Sequence, residues 1–465
     1  MGEYQLVAWW RIVATCTLAV SLSGLSCKTP ESPAEQPTET TSEQGAESST
    51  DAHETSESPE PQTEGKPSPA RQATKLEPWA CADEQAASRP EGWLRDLLAA
   101  RSPKLADLLE NAQPRRIQIL VGEVVPTEGG AACVRYSDVR LDAEYIYPAS
   151  AIKTVGAIAA LERVEQTEGW SVDSPVRFEP LALDGLEGHA GLVGKTRIRR
   201  VRTLLEDTLV VSSNEAFNGL YDIAGRDALN ESSWEQGLET VRLHHRLGRT
   251  RAIASTHRWV PPVQARLDDG WTEVHAAEEA ATELPPHPVP DTMLGEAYID
   301  AVSGERVDEP MDFSDKNSVS LADLLAIVAA VARPDITGEF DLGLDKRSRE
   351  LLLEFMEQRP TGDDEADMQA KEARFKPLSP GVLDALGGER ERFRYVNKAG
   401  RAYGFHLDAA YIEGTETGRA FFVAAAIWAN ENRVLNDNEY EYETVSYPFL
   451  VELGRVLAQE LLVEQ

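Results

Sequence analysis

Ser150-Ala151-Ile152-Lys153-Thr154-Val155-Gly156-Ala157-Ile158-Ala159-Ala160-Leu161 is the stretch on which the fold turns. Its apolar spacing predicts a buried helix over 149–166. A serine and a lysine three apart lie about 60° apart around a helix axis, close enough for their polar ends to meet. A serine hydroxyl is a poor nucleophile until a base takes its proton. A lysine buried beside it can be that base once desolvation lowers its pKa toward neutrality. The helix N-terminus also aims backbone N–H groups and partial positive charge at whatever is bonded to Ser150. Taken alone, the pair has a plainer explanation: an N-capping serine and a solvated lysine.

Two further clusters change the balance. Ser212-Ser213-Asn214 follows the helical pattern TLLEDTLVV and is continued by Glu215-Ala216-Phe217-Asn218, and Lys398-Ala399-Gly400 ends the β-prone run RFRYVN. Tyr403-Gly404 and Asp408-Ala409-Ala410 come next. In this order the set resembles the S-x-x-K, S-D-N and K-T-G motifs of the penicillin-recognising serine hydrolases, class A serine β-lactamases in particular. The resemblance runs from about Gly92 to the C-terminus. It implies an α/β (α+β) fold of β-lactamase/transpeptidase type, with an antiparallel five-stranded sheet flanked by helices and a helical subdomain. It also implies roles: Ser150 as nucleophile, Lys153 as its base, and Ser212 relaying a proton to the leaving nitrogen. Lys398 would keep the site positive, Asn214 would contact substrate, and Gly400 would belong to the substrate-binding strand. The backbone N–H groups of Ser150 and Arg401 would form the oxyanion hole. The implied substrate is a β-lactam or a D-alanyl peptide, handled by a monomer without metal or cofactor.

The sequence departs from the family in two places. The family's omega loop carries Arg-x-Glu-Pro-x-x-Asn, whose glutamate activates the deacylating water. The candidate here is Arg258-Trp259-Val260-Pro261-Pro262-Val263-Gln264, with valine in the glutamate's place. Valine takes no proton, so deacylation is expected to be slow, unless Glu273 or Glu278 substitutes. That expectation leaves three readings open: a β-lactamase, a D,D-peptidase or penicillin-binding enzyme, and a non-catalytic envelope module with the same fold. Ala399 stands where the family has threonine or serine, leaving Arg401 to supply charge to the substrate carboxylate.

Around these motifs the elements are mixed. Strand patterns at 117–122 and 132–136 precede helical patterns at 203–223, 233–247, 319–333 and 345–357. Three apolar β-prone runs follow at 393–397, 406–413 and 420–428, and an amphipathic segment at 447–462 closes the chain. This suits one antiparallel sheet made from both ends of the chain around a helical block. Residues 265–316 and 360–390, acidic or Gly/Pro-punctuated, read as surface-loop insertions in a domain spanning 76–465.

The N-terminal run IVATCTLAVSLSGL, residues 12–25, is too short to span a bilayer and reads as the core of a signal peptide over residues 1–27. Gly24-Leu25-Ser26-Cys27 resembles a bacterial lipobox, which implies lipidation of Cys27 and an exported, periplasmic or envelope location anchored to a membrane. Residues 28–75 are rich in Glu, Ser, Thr and Pro and read as a disordered tether. Cys81 and Cys133 then remain as an even pair, either a disulfide in an oxidising compartment or two buried thiols. The 465-residue chain has 46 Lys+Arg against 79 Asp+Glu, a net charge of −33, which argues against nucleic acid or an anionic membrane surface as partner. The eight histidines show no metal-binding spacing, and His244 and His245 read as a helix surface pair.

Overall fold

The computed structural model describes residues 76, 79–81, 89–127, 132–182, 192–193, 195–248, 257–268, 270–289, 291–338 and 340–463. The signal-peptide run, Cys27 and the tether lie outside the described residues. Residues Pro67–Gln465 group as one compact unit. Among the described residues no helix is long and apolar enough to cross a membrane.

The chain enters through α1 (Trp93–Arg101) and α2 (Pro103–Glu110), then forms β1 (Gln118–Pro126) and β2 (Ala132–Val139). A helical block follows: α3 (Lys153–Gln166), α4 (Val201–Leu209), α5 (Asn214–Ala224), α6 (Arg226–Glu235), α7 (Leu321–Ala332) and α8 (Lys346–Glu357). After α9 (Glu365–Phe375) and α10 (Ser379–Ala385) come β3 (Phe393–Ala402), β4 (Phe405–Gly414) and β5 (Ala420–Trp428), and α11 (Tyr447–Leu461) ends the fold. The five strands make one antiparallel sheet in the order β3-β4-β5-β1-β2, so strands from both ends of the chain meet at the β5–β1 seam.

A strand in mid-sheet buries both faces, and the wholly apolar AFFVAAAIW of β5 does so. Period-two alternation sorts its residues into two cores. Phe421, Val423, Ala425 and Ile427 join Leu94 and Leu98 of α1 and Leu450, Leu453 and Leu457 of α11. Phe422, Ala424, Ala426 and Trp428 join α3, α5 and α7 on the other face. Helix α7, LADLLAIVAAVA, is apolar all round and is accordingly buried. Ser320 caps its first turn, and Asp323 accepts the backbone N–H and hydroxyl of Thr240, tying the helix to the loop after α6.

Several expectations change. The pattern 203–223 is two helices, α4 and α5, separated by a turn in which Ser212 has φ 57°. The pattern 233–247 holds only the end of α6; the chain turns at Gly237 and runs irregularly to Leu247. That run keeps its shape through side-chain amides. Asn230 bonds both N–H and C=O of Leu243, and Asn317 accepts from the N–H groups of His244 and His245. The two histidines are therefore not a helix surface pair, and burial pushes both down to about 4.

Neither presumed insertion is a plain surface loop. Residues 360–390 fold into α9, capped by Asp364, and α10, which begins with a proline in its first turn. Within 265–316, Gly270–His275 extends the small sheet of Pro175–Phe178, Arg197–Arg200 and Val263–Leu267. Ala297–Ile299 instead runs parallel to Val434–Leu435 just beyond β5, and Asp291 pairs with Arg116 beside β1. The segment is thus a strap from the helical block to the sheet. Phe313 anchors it, edge-on to Tyr145, Tyr147 and Tyr403. Cys81 and Cys133 are joined as a disulfide, where the Cys81 N–H also donates to Val134 C=O at 3.2 Å.

Candidate active site

Ser150 lies in a short 3-10 turn, Ala149–Ile152, that leads directly into α3. Ala149, just before it, has φ 48°, a left-handed conformation costly for a residue with a side chain. The turn is packed so tightly that Ala149, Ala151, Ile152 and Lys153 are buried while Ser150 stays partly exposed. A buried scaffold thereby holds one accessible hydroxyl. Lys153, the first residue of α3, aims its ammonium across to the turn between α4 and α5. Its Nζ donates to the Ser212 carbonyl at 2.5 Å and to Ser212 Oγ at 3.2 Å.

The Ser212 turn is fixed from its own backbone. The Ser213 N–H donates to Asp207 C=O at 2.8 Å, and Ser213 Oγ caps α5 by accepting from the Ala216 N–H. From the opposite wall, Lys398 Nζ on β3 donates to the same Ser212 Oγ at 2.9 Å and to its neighbour Ala399 C=O at 3.3 Å. Ser212 Oγ therefore sits between two amines. Burial of Lys153 pushes its pKa down to about 6, helped by the charge of Lys398. Burial takes Lys398 down to about 7, with Asp408 opposing and Lys376 adding to the fall. Two such amines sharing one hydroxyl can hold and pass a proton at neutral pH.

Gly400 brings β3 against the nucleophile turn. A Cβ there would fall 2.2 Å from Pro148 C=O, 2.9 Å from the Ala151 nitrogen and 3.0 Å from the Ser150 nitrogen. Only glycine lets the strand backbone come beside the Ser150 N–H, and Arg401 is the next residue along it. The Arg401 guanidinium lies 4.8 Å over the Tyr442 ring and pairs with Glu443 at 3.2 Å. Asn214, exposed at the start of α5, lies against Gly248, where a Cβ would come 2.6 Å from its Nδ2.

Residues 150, 153, 212, 398 and 400 thus come together, with Asn214 on the adjoining turn. The Val260 expectation is corrected. Val260 is buried in a two-residue strand paired with Glu278–Glu279. The described loop segment laid against the Ser212–Asn218 stretch is Leu247–Gly248. One turn along α5 from Asn214, Asn218 clamps it by accepting the Leu247 N–H and donating to the Leu247 C=O, both at 2.9 Å. Glu278 is turned elsewhere, toward Gly225. Sequence reasoning also missed Lys376 and Asn397: behind β3, Lys376 donates to Asn397, which donates to Asp408. Among the described residues no group of three or more His, Cys, Asp or Glu side chains is placed to hold a metal ion.

A family model described as "Beta-lactamase enzyme family" matches residues 104–445. Solved structures are similar at low identity. One is a beta-lactamase from Desulfarculus baarsii (18% identity, TM-score 0.43, covering 78% of this chain and 97% of that one). Another is an ancestral class A beta-lactamase (18%, 0.42, 77% and 99%). A third is PBP-A (16%, 0.41, 77% and 96%). No curated protein matches.

Proposed function

Because the chain belongs to the beta-lactamase enzyme family, we propose that it is a serine hydrolase that opens β-lactam rings through an ester on Ser150 and releases that ester slowly. The observation that carries the reading is the convergence of Lys153 and Lys398 on Ser212 Oγ beside the Ser150 turn. Ser150 Oγ attacks the lactam carbonyl while neutral Lys153 takes its proton, so the new C–O bond forms on an uncharged serine. The carbonyl oxygen, now negative, is met by the N–H groups of Ser150 and Arg401; losing one such donor costs about 100–1,000-fold. As the C–N bond breaks, Ser212 passes a proton from the lysine pair to the leaving nitrogen. Asn214 contacts the substrate's side-chain amide. Lys398 and Arg401 supply positive charge for a substrate carboxylate, Ala399 having no hydroxyl to do so.

Hydrolysis of the ester needs a water and a base for its proton. Leu247, apolar, occupies the loop segment clamped over α5, which supports a long-lived acyl-enzyme. The same residue favours a second reading, a penicillin-binding D,D-peptidase. Export with lipidation at Cys27 belongs to the proposal too, and rests on the N-terminal sequence alone.

Mass spectrometry after exposure to penicillin tests the whole. A mass increase of one penicillin that maps to Ser150, decays over minutes or longer, and is lost in Ser150→Ala is expected. Labelling that persists in Ser150→Ala overturns the nucleophile. Complete turnover within the mixing time overturns the slow-release claim, and a stable adduct together with cleavage of a D-alanyl-D-alanine peptide selects the second reading.

A further inference from the structure

Behind β3, on the side away from Ser212, lies a third buried lysine. Lys376 follows α9, in the segment that read as a loop, and is only 3% exposed. Its ammonium has all three donors engaged: Met356 C=O at 2.8 Å near the end of α8, Asn397 Oδ1 at 3.0 Å and Tyr395 C=O at 3.3 Å. Asn397 in turn donates to Asp408 Oδ1 at 2.7 Å and to Phe375 C=O at 2.9 Å, and Tyr395 OH donates to Asp408 Oδ2 at 2.5 Å. Asp408 sits on β4 directly opposite Ala399, the neighbour of Lys398. A run of hydrogen bonds therefore leads from the end of α8 through Lys376 and Asn397 to Asp408, whose charge acts on the lysine that holds Ser212. A buried ammonium is expensive to maintain, and a purely structural plug at this spot would not need a charge.

We propose that Lys376 is a positioning residue that, through Asn397 and Asp408, sets the place of Lys398 and its readiness to hold a proton beside Ser212. The proposal rests on the functional reading above for its consequence, but not for its test. Asn397 is oriented by Lys376: its oxygen must face the ammonium, so its amide N–H must face Asp408. Asp408 is thereby held by Asn397 and Tyr395 close to Lys398 without bonding it directly. The two opposite charges, one each side of Asn397, act on Lys398 in opposite senses, Asp408 raising its pKa and Lys376 lowering it. The other groups that face this set are Lys153 and Ser212 on the cleft side and Glu357, Arg359 and Glu372 around Lys376. Glu372 is itself paired with Arg390.

The test is NMR titration of the full folded chain with isotope-labelled lysine side chains, Lys398 and Lys376 being assigned by substitution. In Lys376→Met the titration midpoint of Lys398 is expected to rise. In Asp408→Asn, nearly equal in shape, it is expected to fall. A merely structural role for Lys376 would leave the midpoint of Lys398 where it is in the folded variant, and that result overturns the proposal. If Lys376→Met does not fold, reciprocity of the coupling supplies the alternative. Lys398→Met must then raise the midpoint of Lys376, and an unchanged midpoint is equally decisive. Penicillin labelling of the same samples separates the two claims. Shifted midpoints with no labelling of the unaltered protein would overturn the functional reading alone; labelling with unshifted midpoints would overturn this inference alone.

Discussion

Ser212 is the residue on which the chemistry balances. Its left-handed backbone turns its carbonyl and its hydroxyl both toward Lys153, and its hydroxyl also receives Lys398. The pH dependence of acylation follows. Lys153 acts as a base only when neutral, so acylation is expected to rise as pH increases through about 6, and to fall again as Lys398 loses its proton above about 7. Since the two amines interact, both midpoints belong to the pair. Stopped-flow labelling with a fluorescent penicillin between pH 5 and 9 reads this; a rate that climbs steadily to pH 9 would refute the assignment of Lys398. Deacylation is tested at Leu247. Leu247→Glu is expected to speed loss of the adduct by about 100-fold or more, the usual worth of general-base assistance. Val260→Glu should leave that rate alone and instead lower stability by a few kcal/mol, because it buries an unpaired carboxylate. The difference between these positions also marks where sequence reading stopped. Ser150, Lys153, Ser212 and Lys398 were legible because each sits in a short local motif. Leu247 was not, because what places it is the side chain of Asn218, reaching across 29 residues of chain.

At the scale of elements, β3 and the nucleophile turn work as one unit, and Gly400 is the joint. Gly400→Ala puts a methyl 2.2 Å from Pro148 C=O, a backbone atom that can yield only if strand and turn part. Acylation is expected to fall at least 100-fold, since misplacement by about 1 Å can cost that much. A melting temperature that drops while labelling stays fast would show that the two elements are less tightly coupled than their contact suggests. The strands were legible as elements because their apolar runs are long and bounded by turn residues, as in AFFVAAAIW. Helix α9 was hidden for the converse reason: EADMQAKEARF carries five charges and no apolar stripe, and its one buried residue is the charged Glu372. Helices α4 and α5 merged because their apolar spacing carries on across the Ser212 turn. Only the left-handed backbone separates them.

For the molecule as a whole, the sheet, the helical block and the strap that joins them decide how stably the site is framed. The disulfide between Cys81 and Cys133 closes a loop across 52 residues at the start of this frame, fastening the chain before α1 to β2. Its loss is expected to reduce stability by about 2–5 kcal/mol through the freed unfolded chain. Thermal melts with and without reductant, with Cys81→Ser/Cys133→Ser as control, measure it; an unchanged melt in both would mean that the bridge carries no stability. The two-ended sheet was legible from the order of β-prone and helical runs, whereas the strap was not. Beyond Gly270–His275 its strands are two or three residues long, and what ties it to the sheet lies in distant parts of the chain, Val434–Leu435 and Arg116.

The position of β5 has a consequence for biosynthesis. Every group assigned to the reaction has been synthesised once residue 401 is made, yet the strand that seats β4 against β1 begins only at Ala420. At ordinary elongation rates the first hairpin waits tens of seconds with one bare edge. A nascent chain halted before Ala420 would own the whole chemistry without the closed sheet, and it would offer β1 to any passing strand.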